Sequence, residues 1–253
     1  MRQFFSEILI MFQRLSYLGG CMENKLLSEL SRNGLRNKLI NHQLFTEISL
    51  QSVSKETAAL MVGQWYHPLH YFPCFLSRQI AVTPLLEMQT FISKILWQEL
   101  GEGKPEQAHE KLFIKTMHDS GFDRKTIMHP LPFDATQKLV EGYRKSTDDY
   151  LIGLGYLYGT EVADLVMVSS IGKAVEKATG KKELPWVDIH IKQEPNHVES
   201  ASQALTPFFT EKERKKIVAS AEEMWKLWIG FFDEIREKAG SGGQSERTPK
   251  LMA

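Results

Sequence analysis

His190, Glu194 and His197 occur at i, i+4 and i+7 in the stretch Val187-Asp-Ile-His-Ile-Lys-Gln-Glu-Pro-Asn-His197. At about 100° per residue, side chains with this spacing fall within a stripe roughly 60° wide on one helix face. Two imidazoles and a carboxylate converging from one face suit a divalent transition metal such as iron, manganese or zinc. A solvated polar face that happens to contain histidine has the same spacing, so the metal reading needs partners elsewhere in the chain.

One helix lends only two or three ligands, so a bundle metal site draws carboxylates and histidines from several helices. Glu161 is one candidate, set between Tyr156-Leu-Tyr158 and Val162 with Leu165-Val-Met167 beyond. Buried unpaired it would be costly; on a narrow polar edge it would meet solvent or a basic side chain instead. Glu99 and His109 are a second pair, and ten residues apart they do not share a face of one straight helix. Gly101, Gly103 and Pro105 between them relax the backbone and allow them to meet. Glu102 competes, because its seven-residue spacing to His109 would align on an ideal helix; the glycines oppose an ideal helix there, and Glu99 is preferred. Three carboxylates and three histidines, divided between two ions, leave open coordination positions of the kind that oxygen activation or Lewis-acid chemistry uses. Pro195 lies between two of the candidates, and inside a helix it costs about 3 kcal/mol. Either it marks a tolerated kink or it makes a distorted segment that orders around metal.

Helical periodicity dominates the elements that must position these groups. A short helix is expected from Leu26 to Leu30, closed by Asn33-Gly34 in a left-handed cap. A long one follows Ser54-Lys-Glu-Thr, a capping signal, with a kink or break at Pro68 and Pro73. Further helices are expected from Leu85 to about Leu100, Glu106 to His118, Ala135 to about Ser146, Asp148 to Lys177, Glu183 to Leu205 and Thr210 to Lys238. Gly153, Gly155, Gly159 and Ala163 permit close packing of the Asp148–Lys177 segment. The pattern predicts a single all-α bundle of about seven or eight helices. Residues 23–239 form the domain, residues 1–22 an N-terminal extension, and the Gly/Ser-rich tail 240–253 is disordered.

At 253 residues one large core suffices. Lys+Arg and Asp+Glu are equal at 31 each, so no net field recruits nucleic acid or anionic lipid. Cys21 and Cys74 are too few for a disulfide framework and fit a reducing, cytoplasmic setting; Cys74 is expected as a small buried residue. The apolar N-terminal run Phe4–Phe12 contains Glu7 and falls short of the roughly 20 residues of a membrane span. The partners expected are a small-molecule substrate and, at most, a second copy of the chain.

The set Glu99, His109, Glu161 and His190-x3-Glu194-x2-His197 resembles the ligands of the heme-oxygenase-like diiron oxidases and oxygenases. That superfamily also holds the Chlamydia death-domain-associating protein, the thiaminase-like proteins and pyrroloquinoline quinone synthase. Leu44-Phe45, the Gln64-Trp-Tyr-His…Phe72-Pro73 segment and Glu99-Leu-Gly-Glu-Gly-Lys-Pro-Glu-Gln-Ala-His109 support the likeness over roughly residues 39–232. It implies a seven-helix heme-oxygenase-like fold with two ferrous ions rather than heme, and O2 as co-substrate. It further implies oxidation of an amino acid, amine or fatty acid by N-oxygenation, C–C cleavage or oxidative decarboxylation. An amino-acid-derived substrate is favoured, a fatty acid second. Several members carry Asp where Glu194 stands, which leaves bridging or terminal binding open at that position.

A substrate pocket is expected from Trp65, Tyr66 and Tyr158, with Phe72 and Met167. His67, His70 and Arg78 are either carboxylate-binding groups near it or surface residues, and His118 and His129 belong to the surface or loops. The alternatives are a metal-free thiaminase-like or quinone-cofactor-synthase-like enzyme, or a non-catalytic interaction module on the same fold. The first of these needs a cysteine near Glu161, and none is close in sequence.

Overall fold

The computed structural model describes residues 24–242. The N-terminal extension and the residues beyond 242 lie outside that range. Among the described residues the chain is all helical, in chain order α1 (Lys25–Ser31), α2 (Gly34–Ile40), α3 (Gln43–Leu50), α4 (Lys55–Val82), α5 (Leu86–Glu99), α6 (His109–Asp119), α7 (Arg124–Met128), α8 (Asp134–Ser146), α9 (Tyr150–Thr179), α10 (Pro185–Gln203) and α11 (Glu211–Gly242). Helices α4, α5, α6, α8, α9, α10 and α11 are the long members, which gives the expected bundle of about seven in one domain.

Helix α9 is the axis of the bundle and packs against α11, α10, α4 and α8, with α2 and α3 laid across one side. It is long and apolar enough to cross a membrane, but most of its apolar stretch is buried inside the bundle. Its glycines make this possible. A Cβ on Gly155 would stand 2.5 Å from the Ile217 carbonyl oxygen of α11, so only hydrogen fits between the two backbones. The Trp225 indole N–H then donates to the Gly159 carbonyl at 2.9 Å, tying α11 to α9 one turn further on.

Ser54 caps α4 by accepting from Thr57 N at 3.1 Å. The helix continues through Pro68 and Pro73, so the expected interruption takes at most the form of a bend. Burial of Trp65, Leu69, Phe72, Phe75 and Leu76 along the same stretch is worth well over the roughly 3 kcal/mol cost of each proline. Asn33 also departs from expectation. Its side chain accepts from Leu35 N at 2.9 Å, so it caps the start of α2 and does not close α1; Gly34 is the first helical residue. Helix α6 begins at His109, after a 3-10 turn at Pro105–Gln107, and α11 continues to Gly242, past the expected start of the tail. Helices α2, α3 and α7 are short elements the periodicity did not reveal.

Candidate metal centre

The left-handed turn after α5 brings the first two groups together. Gly101, Glu102 and Gly103 have φ of 83°, 53° and 81°, and a Cβ on Gly101 would run into the Lys104 carbonyl oxygen. The chain reverses within a few residues, so Glu99 at the last turn of α5 faces His109 at the first turn of α6. Their Oε1 and Nδ1 atoms are 3.0 Å apart. The start of α10 is fixed by Thr116 of α6, whose hydroxyl accepts from Trp186 N at 3.2 Å in place of a local cap. Helix α10 then presents His190, Glu194 and His197 inward, and Gln193 with them; all four are buried.

The six candidates converge in two adjoining triplets. Glu99, His109 and His190 offer one set of ligand atoms within 4.8 Å of one another, and Glu161, Glu194 and His197 offer a second. The two are in contact: His197 Nδ1 is 3.3 Å from Glu161 Oε2, 3.7 Å from Glu194 Oε2 and 3.7 Å from Glu99 Oε1. Glu99 thus stands between the histidines of both sets.

Hydrogen bonds behind the ligand atoms fix which nitrogens face inward. His190 Nδ1 lies 2.7 Å from the Trp186 carbonyl, which can only accept, so Nδ1 carries the proton and Nε2 presents a lone pair to the site. Gln193 donates its amide to Glu102 at 3.3 Å and accepts from His109 Nε2 at 2.8 Å. His109 Nδ1 is thereby left aimed at Glu99. Glu102, the competitor for the ligand role, sits one shell back and holds Gln193.

The metal fits what these residues leave unsatisfied. Glu161 Oε1 and His197 Nε2 are buried and have no hydrogen-bond partner. Glu194 accepts from no N–H or hydroxyl and has the Asp164 carboxyl against it, and His109 Nδ1 meets only the Glu99 carboxylate. This crowding of buried polar groups is an expensive state that a cation relieves. Their electrostatics agree. Burial raises the Glu99 carboxyl, but the charge on His109, with His197 and His190, outweighs it and holds Glu99 down at about 2. Burial lowers His197, yet Glu161 and then Glu99 bring it up to about 9. Burial and the neighbouring His109 take His190 down to about 3. Glu194 is pushed well above the carboxylate range by burial and by Asp164, Glu161 and Glu99. The metal-free site therefore holds protons that bound cations would replace.

Beside the triplets a cleft is lined by Trp65, Pro68, Leu69, Phe72, Tyr143 and Trp228, opening on Glu99, Glu161, Asp164 and His190. Trp65 and Phe72 are where the pocket was expected. Tyr66 and Tyr158 are not. Tyr66 points to the Glu110 carboxylate, 3.1 Å from its hydroxyl, because one residue along α4 turns it about 100° from Trp65. Tyr158 is buried near Arg36 on another side of α9, and Met167 is buried away from the cleft. His67 contacts the Pro130 carbonyl, His70 pairs with Glu110, and Arg78 pairs with Thr147 and Asp148, all outside the cleft. His118 and His129 are exposed. Cys74 is exposed too, against the expected burial: it follows Pro73 on the outer face of α4, between the inward Phe72 and Phe75.

Asp164, Tyr143, Thr160 and Gln193 are site residues that the sequence reading missed. Asp164 carried a usable signal, being one helical turn after Glu161 in an otherwise apolar run. Burial and the Glu161 charge raise its carboxyl to about 8.

No curated protein matches this sequence. Several solved structures share its fold. A domain of unknown function with a heme oxygenase-like fold from Shewanella denitrificans superposes with TM-score 0.72 at 16% identity, covering 92% of this chain and 100% of that one. A CADD-like protein of unknown function from Nostoc punctiforme gives TM-score 0.69 at 14% identity, over 85% and 95% of the two chains. A TenA homologue from Pyrococcus furiosus gives 0.64 at 15% identity, over 85% and 100%. Residues 59–229, which contain all six converging ligand candidates, match the model of the iron-containing redox enzymes, and the chain belongs to that family, on a heme-oxygenase-like fold.

Proposed function

We propose that the protein is a non-heme diiron oxidase or oxygenase that uses O2 to oxidise a small organic substrate, an amino-acid derivative first and a fatty acid second. The observation that carries this reading is the pair of adjoining buried triplets, one with two imidazoles and a carboxylate, the other with two carboxylates and an imidazole. Glu99, His109 and His190 would hold one ferrous ion and Glu161, Glu194 and His197 the other. Three protein ligands per ion leave positions free for exchangeable groups. Two ferrous ions there would supply the electrons and the binding positions that reduction of O2 requires.

The chain's own residues do the rest. The Trp186 carbonyl and the Gln193 amide hold two imidazoles in one tautomer each, so their lone pairs are set before metal arrives. Pro68, Leu69 and Phe72 form an apolar wall on the open side of the centre. Trp65 has a buried indole N–H without a partner, a donor suited to a substrate carboxylate. Tyr143 and Thr160 share a hydrogen bond of 2.7 Å at the same cleft and offer a second polar contact. The free volume of about 30 Å³ holds about two water-sized molecules, so a substrate must displace side chains along the Trp65–Phe72 wall. A thiaminase-like reaction would need a thiol near Glu161; the cysteine among the described residues, Cys74, faces outward.

Anaerobic loading with ferrous iron, followed by exposure to O2, tests the proposal. Two irons per chain, O2 uptake and a transient visible absorption band are expected. Absence of iron binding, or retention of a single zinc alone, would overturn it.

A further inference from the structure

Asp164 belongs to neither triplet, yet its surroundings are those of a ligand. It follows Glu161 by one helical turn on α9, and residues at this spacing lie on neighbouring parts of one face. Its Oδ2 is 3.9 Å from His190 Nε2, the ring nitrogen that the Trp186 carbonyl leaves free to bind metal. That separation is within the 4.8 Å spanned by the ligand atoms of each triplet. On its other side Asp164 lies within hydrogen-bond reach of Glu194, whose two oxygens meet no N–H or hydroxyl donor. It therefore touches one histidine of the first triplet and one carboxylate of the second. At 14% exposure it is slightly more open than its neighbours and lines the cleft with them.

Charge makes the same assignment. Glu99, Glu161 and Glu194 supply three negative charges, and the histidines that bind metal are neutral. Two divalent ions would leave one uncompensated positive charge inside the bundle, which is costly where little water reaches. Asp164 supplies the fourth carboxylate, and the filled centre is then neutral. No lysine or arginine pairs with it among the described ion pairs.

Resting on the diiron reading above, we propose that Asp164 is a seventh ligand of the centre, placed on its cleft side to serve the ion held by Glu99, His109 and His190. Of the four ligand groups that line the cleft it is the most exposed.

Anaerobic equilibrium dialysis against ferrous iron, with iron counted per chain, tests this without reference to turnover. The wild-type chain is expected to bind two ions. Asp164→Asn, nearly isosteric, is expected to weaken one of them about tenfold or more and spare the other, while Asp164→Glu retains both. Circular dichroism of each metal-free variant checks the fold, and Asp164→Ser replaces Asp164→Asn should the amide not fold. Two ions bound by Asp164→Asn with wild-type affinities would overturn the proposal and leave the diiron reading intact. A wild-type chain that binds no iron would overturn both.

Discussion

His109 Nε2 donates a 2.8 Å hydrogen bond to the Gln193 side-chain oxygen, and this contact decides which nitrogen of His109 faces Glu99. Gln193 is itself oriented by Glu102, so a residue from the α5–α6 turn acts on a metal-site histidine through a residue of α10. Outer partners of this kind typically contribute 10- to 100-fold in metal affinity. Gln193→Leu is expected to lower ferrous affinity by about that range, since His109 loses its tautomer lock. Glu102→Ala, which leaves Gln193 in place but free to turn, is expected to cost about tenfold or less. Anaerobic iron titration of the two variants checks the order; equal and unchanged affinities would remove Gln193 from the site.

The two triplets differ in what each loses with its histidine. His197 is the one imidazole of the Glu161–Glu194 set, and without it that set keeps only carboxylates. His197→Ala is expected to bind one iron per chain in place of two and to lose the visible band on oxygen exposure. Its metal-free form is also expected to shift in pH response. His197 titrates near 9 when folded against about 6.5 when unfolded, so its contribution to stability is full below pH 6.5 and is lost as pH rises through 9. The alanine variant should therefore lose less stability than wild type between pH 7 and pH 9.5, measured by urea unfolding of the apo chains.

His42 gives the opposite sign. It caps α3, its Nδ1 accepting from Leu44 N at 3.2 Å, while Nε2 donates to Asp233 at 3.1 Å. Only a neutral imidazole can do both. Burial depresses its pKa, with Asp233 opposing, so the unfolded chain takes up this proton first as pH falls below about 6.5. Stability is expected to drop between pH 7 and pH 5, and the drop should be smaller in His42→Asn, which keeps an acceptor at the cap. His42→Ala is expected to cost about 1 kcal/mol at pH 7.5. Parallel pH dependence of wild type and the asparagine variant would remove His42 as its source.

The long helices and the α10 stripe were legible because their signals are periodic and local. Each triplet contains residues from helices far apart in sequence, yet each candidate announced itself as a polar group in apolar text. Glu99 over Glu102 was legible through the glycines, whose positive φ angles make the turn. Gln193 was not, because a glutamine beside ligands on a helix reads as an exposed polar residue until α6 is packed against it. Tyr66 and Tyr158 were misplaced for a related reason, since near neighbours in sequence were assigned one pocket: a step of about 100° turns Tyr66 from Trp65, and two steps turn Tyr158 to the side nearly opposite Thr160. Asn33 fits both a helix end and a helix start, and only its bond to Leu35 N distinguishes them.

The packing of α9 on α11 sets the depth at which Glu161 enters the centre, and Gly155 controls that packing. An alanine there would place Cβ 2.5 Å from the Ile217 carbonyl and 2.7 Å from Ser220 Cβ, contacts that backbone must move to relieve. Overpacking of this kind costs about 1–3 kcal/mol. Gly230, also helical and on α11, has nothing within 4 Å of its would-be Cβ, so alanine there is expected to stabilise by up to about 1 kcal/mol through helix propensity alone. Thermal unfolding of the two metal-free variants should therefore move in opposite directions. Glu161 follows Gly159, which packs on Met224 and Ala221 of α11, by two residues and lines the cleft, so Gly155→Ala is further expected to weaken the iron held by Glu161, Glu194 and His197 more than the other. A Gly155→Ala chain as stable as wild type would mean that α9 and α11 are not in the close contact that positions this carboxylate.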